Sequence, residues 1–116
     1  MELKDKKCIP CTSFIAPISI EEKLKFINEL KNEWMLTNET SRIEKVFTFK
    51  NFKKALEFTN LIAVIAEEER HHPEIRLSWG QCHIIIWTHT NNDLLENDFI
   101  LAAKISQVFF NHFQPK

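Results

Sequence analysis

The stretch "EEERHHPEIRLSWGQCHIIIWTH" at residues 67–89 changes period from helix to hairpin within a few residues. Three glutamates lead into the adjacent His71 and His72, and Pro73 follows. The proline ring disfavours helical backbone at the residue before it, so a helix arriving from upstream stops here. The paired imidazoles lie just past its last turn. From Glu74 the period becomes two, with Ile75, Leu77 and Trp79 on one face and Glu74, Arg76 and Ser78 on the other. Gly80, the only glycine in the chain, reads with Gln81 as a two-residue hairpin turn of the II′ type, which places glycine first. "CHIIIWTH" returns as the partner strand. His83, Ile85, Trp87 and His89 share one face, and Cys82, Ile84, Ile86 and Thr88 share the other.

The rest of the chain repeats this alternation of helix and hairpin. "SIEEKLKFINEL" opens on Ser19 with Glu22 three residues on, a capping-box spacing, and Ile20, Leu24, Ile27 and Leu30 follow at helical intervals. "EWMLT" around Trp34 and "RIEKVFTFK" flank the turn "NETS". They read as a hairpin with Ile43, Phe47 and Phe49 on one side. "NFKKALEFTNLIAVIAEEER" is a long helix capped by Asn51. Phe52, Leu56, Thr59, Ala63 and Ala66 form its stripe, with Ala55 and Ile62 beside it. After the turn "TNND", "LENDFILAAKISQVFFNHF" is a last helix, apolar on more than one side.

The order helix, hairpin, helix, hairpin, helix predicts an α+β domain: a four-stranded antiparallel sheet with helices packed on one face. The domain runs over residues 18–116, after a loosely ordered arm at 1–17 that is polar and holds two of the four prolines. The last two strands and the last helix carry more apolar surface than one chain covers, which points to burial by another copy.

Composition narrows the function. Hydrophobic residues make up 44% and charged residues 27%, the profile of a soluble globular protein. A net charge of −1 with no basic stripe does not favour nucleic acid as a direct partner. The apolar runs are too short to span a bilayer, and no signal-peptide stretch follows "MELKDKKCIPC", so the chain reads as cytoplasmic. Three cysteines, Cys8, Cys11 and Cys82, argue against a disulfide framework. "CIPC" has the spacing of a redox pair or half a zinc site. Redox pairs usually follow a strand and open a helix, and this one sits near a terminus. A zinc site would need His71 and His72 as its other half, and adjacent residues rarely both reach one metal.

If the second hairpin folds back as read, Pro73 and Glu74 lie opposite Thr88 and His89. His71, His72 and His89 then gather at one sheet edge. Imidazole exchanges protons near neutral pH, and neighbouring imidazoles cannot all be charged at low cost. No serine or cysteine nucleophile is paired with a base, and one glycine cannot make a phosphate-cradling loop. The chemistry suggested is proton transfer without a covalent intermediate. Plainer readings stand beside it. His72 suits a helix C-terminus, favoured by the dipole; His83, His89 and His112 suit solvated surface positions; Glu67 to Glu69 suit a solvated helix face; and His71, His72 and His89 could form a zinc triad.

Taken as a pattern, the residues run Glu67, His71-His72-Pro73, Trp79, His89, Asp98. This spacing resembles the signature of the pterin-4a-carbinolamine dehydratases. Trp34, "FKNF" at 49–52 and "HHPE" at 71–74 also resemble that family at fitting distances, and the likeness covers roughly residues 18–112. It implies the same α+β fold, assembled as a homodimer or homotetramer. It implies dehydration of 4a-hydroxytetrahydropterin, the spent cofactor of aromatic amino-acid hydroxylases, to the quinonoid dihydropterin, with no metal or organic cofactor. By position, His71 and His89 become the acid/base candidates, and His72 binds and polarises the substrate. Pro73, Thr88, Thr90 and Asn91 line the pterin pocket. Glu67 orients a histidine, and Asp98 helps hold the turn after His89.

The chain also departs from the pattern. Trp87 stands before "TH" where the family commonly has a small polar residue. Leu95 stands where a serine often caps the last helix, which leaves Asn92 or Asp93 to cap it. One animal member of the family also serves as a dimerisation partner of a transcription factor, so a binding module is the alternative. The intact histidine set argues for catalysis.

Overall fold

Ser19 and Glu22 form the capping box their spacing predicts. The Ser19 hydroxyl accepts from Glu22 N–H at 3.2 Å, and the Glu22 carboxylate accepts from Ser19 N–H at 3.4 Å. They start helix α1, Ile20–Glu29. The computed structural model describes residues 2–8 and 18–113. After α1 come β1 (Met35–Thr37) and β2 (Arg42–Thr48), helix α2 (Phe52–Glu69), β3 (Glu74–Ser78), β4 (Gln81–Ile86) and helix α3 (Glu96–His112). The Asn51 side chain accepts from Lys54 N–H at 2.9 Å and so caps α2, as the sequence indicated.

The four strands make one antiparallel sheet in the order β1-β2-β4-β3. The two hairpins join along β2 and β4, from Ile43 opposite Ile86 to Thr48 opposite Gln81. Alternation along the strands turns Ile43, Phe47, Cys82, Ile84 and Ile86 toward the helices, where all are buried. They meet Phe58 and Ile62 of α2 and Phe99, Leu101 and Ile105 of α3 in one core. Each such large side chain contributes about 1.5–3 kcal/mol by leaving water. Trp34 is also buried there, its indole N–H donating to Ser106 Oγ at 2.8 Å. This is the α+β architecture expected from the pattern.

The helical stripes are rotated from the sequence reading. On α1, Ile27 is buried, but Ile20 and Leu24 are exposed. Lys23 turns inward, only 5% exposed. Its ammonium reaches Asp93 Oδ1 and the Thr40 carbonyl, each at 2.8 Å. On α2 the buried residues are Ala55, Phe58, Ile62 and Ala66, while Phe52, Leu56 and Ala63 face outward. A helix apolar on several sides does not fix its own phase.

The second hairpin also differs. Its turn is Trp79-Gly80, closed by Ser78 opposite Gln81, rather than Gly80-Gln81. Gly80 does not have a positive φ, so it is not the first residue of a II′ turn. It serves close approach: a Cβ there would lie 3.1 Å from the Phe49 carbonyl oxygen, and Phe49 N–H donates to the Gly80 carbonyl at 2.8 Å. Trp79 leaves the inward row and is 70% exposed. The shifted register sets Glu74 opposite Ile85, not opposite Thr88 and His89, and β4 ends before Trp87.

Over residues 2–8, the arm expected to be loose lies against α3. Leu3, in a 3-10 turn, is 5% exposed within the core. Lys6 meets Glu96 at 2.6 Å, and Lys104 donates to the Lys4 carbonyl at 3.1 Å. Cys11 lies outside the described residues. Among the described residues, no helix is long and apolar enough to cross a membrane.

Candidate active site

The end of α2 sets the direction of both histidines. Arg70 takes the left-handed conformation, φ 54° and ψ 41°. Its N–H donates to the Glu67 carbonyl at 3.3 Å, and His71 N–H donates to the Ala66 carbonyl at 3.1 Å. This bond pair is a Schellman motif, normally built on glycine. The chain reverses there, so His71 turns inward, 7% exposed, and His72 turns outward.

Asp98 is the inward partner. Its side chain is fully buried, and Oδ1 lies 2.6 Å from His71 Nε2. Oδ2 accepts from the Thr88 hydroxyl and from Leu95 N–H, both at 2.8 Å. A carboxylate offers only acceptors, so Nε2 of a neutral His71 carries its proton toward Asp98 and leaves Nδ1 with a free lone pair. One carboxylate thus fixes His71, the residue before His89, and the start of α3. Leu95 occupies the cap position and has no side-chain acceptor; Asp98, three residues on, closes half of a capping box in its place. Neither Asn92 nor Asp93 caps the helix, contrary to expectation.

Glu67, in the last turn of α2, is hydrogen-bonded through Oε2 to His72 Nε2, so the histidine it orients is the exposed one. His89 opens the turn that follows Thr88. Thr88 N–H donates to the Asp93 carbonyl at 2.9 Å, and Asn91 and Asn92 N–H groups donate back to the Thr88 and His89 carbonyls at 3.2 and 3.3 Å. His89 and Thr90 are exposed, and Pro73 and Asn91 are half-buried. Thr88 is 1% exposed, and its hydroxyl donates to Asp98. Asp98 joins His71 to Thr88, two residues past β4, and strand pairing does not. His83 pairs instead with Glu44 at 2.8 Å, and His112 stands exposed near the end of α3.

Several supporting residues were not apparent in the sequence. Lys23 anchors Asp93, at the end of the His89 turn. Burial opposes ionisation of Asp93, but the Lys23 ammonium and the Leu94 N–H outweigh it and hold the carboxyl below its ordinary range. Arg42 donates to Asn92 Oδ1 at 2.7 Å. Glu69, read as part of a solvated run, is largely buried; it accepts from Cys8 N–H at 2.8 Å and lies 3.6 Å from the Lys104 ammonium. A lysine in an amphipathic pattern reads as solvated, so no sequence signal marks Lys23. Burial, with the Glu69 charge adding to it, pushes the Cys8 thiol up to about 12. That opposes the thiolate a redox pair requires. Among the described residues, no group of three or more His, Cys, Asp or Glu side chains is arranged to hold a metal ion.

Comparison with known proteins bears on this geometry. The family model described as pterin 4 alpha carbinolamine dehydratase matches residues 16–108. The chain belongs to the pterin 4 alpha carbinolamine dehydratase family. A Rickettsia canadensis protein, designated provisionally as a pterin-4-alpha-carbinolamine dehydratase, is 53% identical over 89% of this chain and 94% of its own length. One from Alkaliphilus metalliredigens, with the same provisional designation, is 45% identical over 90% of this chain and 94% of its own length. A crystal structure titled transcriptional coactivator/pterin dehydratase, from Brucella melitensis, superposes with a TM-score of 0.75 at 26% identity, over 80% of this chain and 98% of that one. The family is one of hydro-lyases. Its match begins at residue 16, so the arm at residues 2–8 lies outside it.

Proposed function

We propose that this chain dehydrates a 4a-hydroxytetrahydropterin to the quinonoid dihydropterin, with histidines as acid and base. The C4a–O bond breaks, the hydroxyl leaves as water after taking a proton, N5 loses its proton, and C4a and N5 become doubly bonded. Atoms and electrons balance without an oxidant or a metal. Membership of a dehydratase family supports the reaction. The bond from His71 to Asp98 carries the mechanism, because a buried imidazole with one nitrogen committed has the other free for proton transfer.

In this reading His71 and His89 exchange protons with the substrate, and His72, held by Glu67, binds and polarises it. Each proton transfer is worth about 10²–10⁴-fold. Pro73, Thr90 and Asn91 line the pterin site, with Thr88 and Asp98 behind them. The substrate is the spent cofactor of aromatic amino-acid hydroxylases, so the enzyme recycles that cofactor. A cytoplasmic setting and a homodimer or homotetramer belong to the same proposal. Exposed Phe52, Leu56, Leu61 and Val64 on α2 support the assembly.

Titration with a stable oxidised pterin, followed by amide NMR, tests the site. Shifts centred on His72, Pro73's neighbours and residues 89–91 support it. Shifts confined to another face would overturn it.

A further inference from the structure

His89 is exposed and lies outside any strand. A free imidazole on a turn samples several rotamers, yet a proton-transfer group has to be held in direction. We infer that Trp87 and Arg42 are positioning residues for His89: the indole is a shelf for the imidazole, and the guanidinium clamps the shelf to the turn. The inference rests on the reading of His89 as a proton-transfer residue.

Four contacts carry it. The His89 ring packs on the Trp87 indole, centroids 4.5 Å apart and planes 38° from parallel. The Arg42 guanidinium lies over the same indole, 4.2 Å from its centroid. Arg42 Nη2 also donates to Asn92 Oδ1 at 2.7 Å, while Nη1 is held by the Ser41 carbonyl at 3.0 Å. One planar cation therefore touches both the surface under His89 and the last residue of the turn that His89 opens.

The sheet fixes this arrangement. The β2–β4 ladder ends at Ile43 opposite Ile86, so Arg42 and Trp87 stand just beyond its last pair, on neighbouring chain segments. Cross-strand neighbours of this kind have their side chains side by side. A small polar residue at position 87 would give the imidazole no shelf and Arg42 no face to cover. Lysine would not replace Arg42, because the contact uses a flat guanidinium that stacks and donates at once.

Histidine-selective NMR and steady-state kinetics test the inference together. In the intact protein, the indole ring current moves the His89 ring protons upfield. Arg42→Ala leaves the indole present but unclamped. It is expected to halve that upfield shift at least, and to lower kcat about tenfold or more with KM nearly unchanged. Trp87→Phe should keep most of kcat, Trp87→Ala should lose it, and Arg42→Lys should not rescue the shift. Should Arg42→Ala fail to fold, Arg42→Gln, which keeps a donor for Asn92, takes its place. An unaltered His89 shift, or a lost shift with unaltered kcat, would overturn the inference. If the intact protein has no dehydratase activity, the function fails, while the NMR arm still reports whether Arg42 holds His89.

Discussion

His71 Nε2 stands 2.6 Å from Asp98 Oδ1, and the other oxygen of that carboxylate holds Thr88 and the first turn of α3. The bond ties the end of α2 to Thr88, two residues past β4, through one buried side chain. Removing the carboxylate leaves three buried donors short of a partner. Asp98→Ala should therefore cost about 2–4 kcal/mol in denaturant melts. Asp98→Asn keeps the shape but offers one acceptor and one donor, so it should spare most stability and still lower kcat about 10²-fold by disturbing the His71 tautomer. Wild-type turnover in Asp98→Asn would show that this pair has no part in proton transfer.

Arg70 pays for a left-handed backbone that glycine adopts freely. Arg70→Gly should raise stability by about 0.5–1 kcal/mol, visible as a higher Tm, with the histidines unmoved. A lower Tm would mean that the arginine side chain contributes more than its backbone costs.

Asp93 gives a pH signature. Its folded pKa lies below the unfolded value, so its contribution is full above the unfolded pKa and is lost as pH falls through the lowered folded one. The stability gap between wild type and Asp93→Asn should thus be largest near neutrality. It should shrink as pH drops below the ordinary carboxyl value of 3.8. A gap that widens on acidification would contradict the Lys23–Asp93 pairing.

Leu3 tests the N-terminal arm. Its side chain sits in the core beside α3, so Leu3→Ala should cost about 2–3 kcal/mol. A loosely attached arm predicts almost no change in the same melt.

How far the sequence reveals this molecule varies by element. The Ser19–Glu22 box, the Asn51 cap and the Pro73 stop are local chemistry, and each forms where its residues indicate. The sheet follows from alternation within β2 and β4. Phase and register are less legible. Leu24 and Phe52 share a period with the buried residues of their helices, yet Lys23 and Phe58 turn inward because of distant partners. Gly80 suggested a II′ turn, but its reason is the Phe49 carbonyl across the sheet. Among the candidate site residues, His71 and His72 were marked by their place before Pro73, and Glu67 and Asp98 by the family resemblance. Arg42, Lys23 and Glu69 were not, because a charged side chain reads as solvated until the fold supplies its partner.

Histidine-driven dehydration is tested most directly by the rate of 4a-hydroxypterin loss, followed by ultraviolet absorbance, with the substrate made in situ by a hydroxylase. Wild type and folded His71→Ala run beside the spontaneous reaction. Wild type should clearly accelerate the loss, and His71→Ala should run near the spontaneous baseline. Wild-type loss no faster than that baseline, or equal acceleration by both proteins, would contradict it.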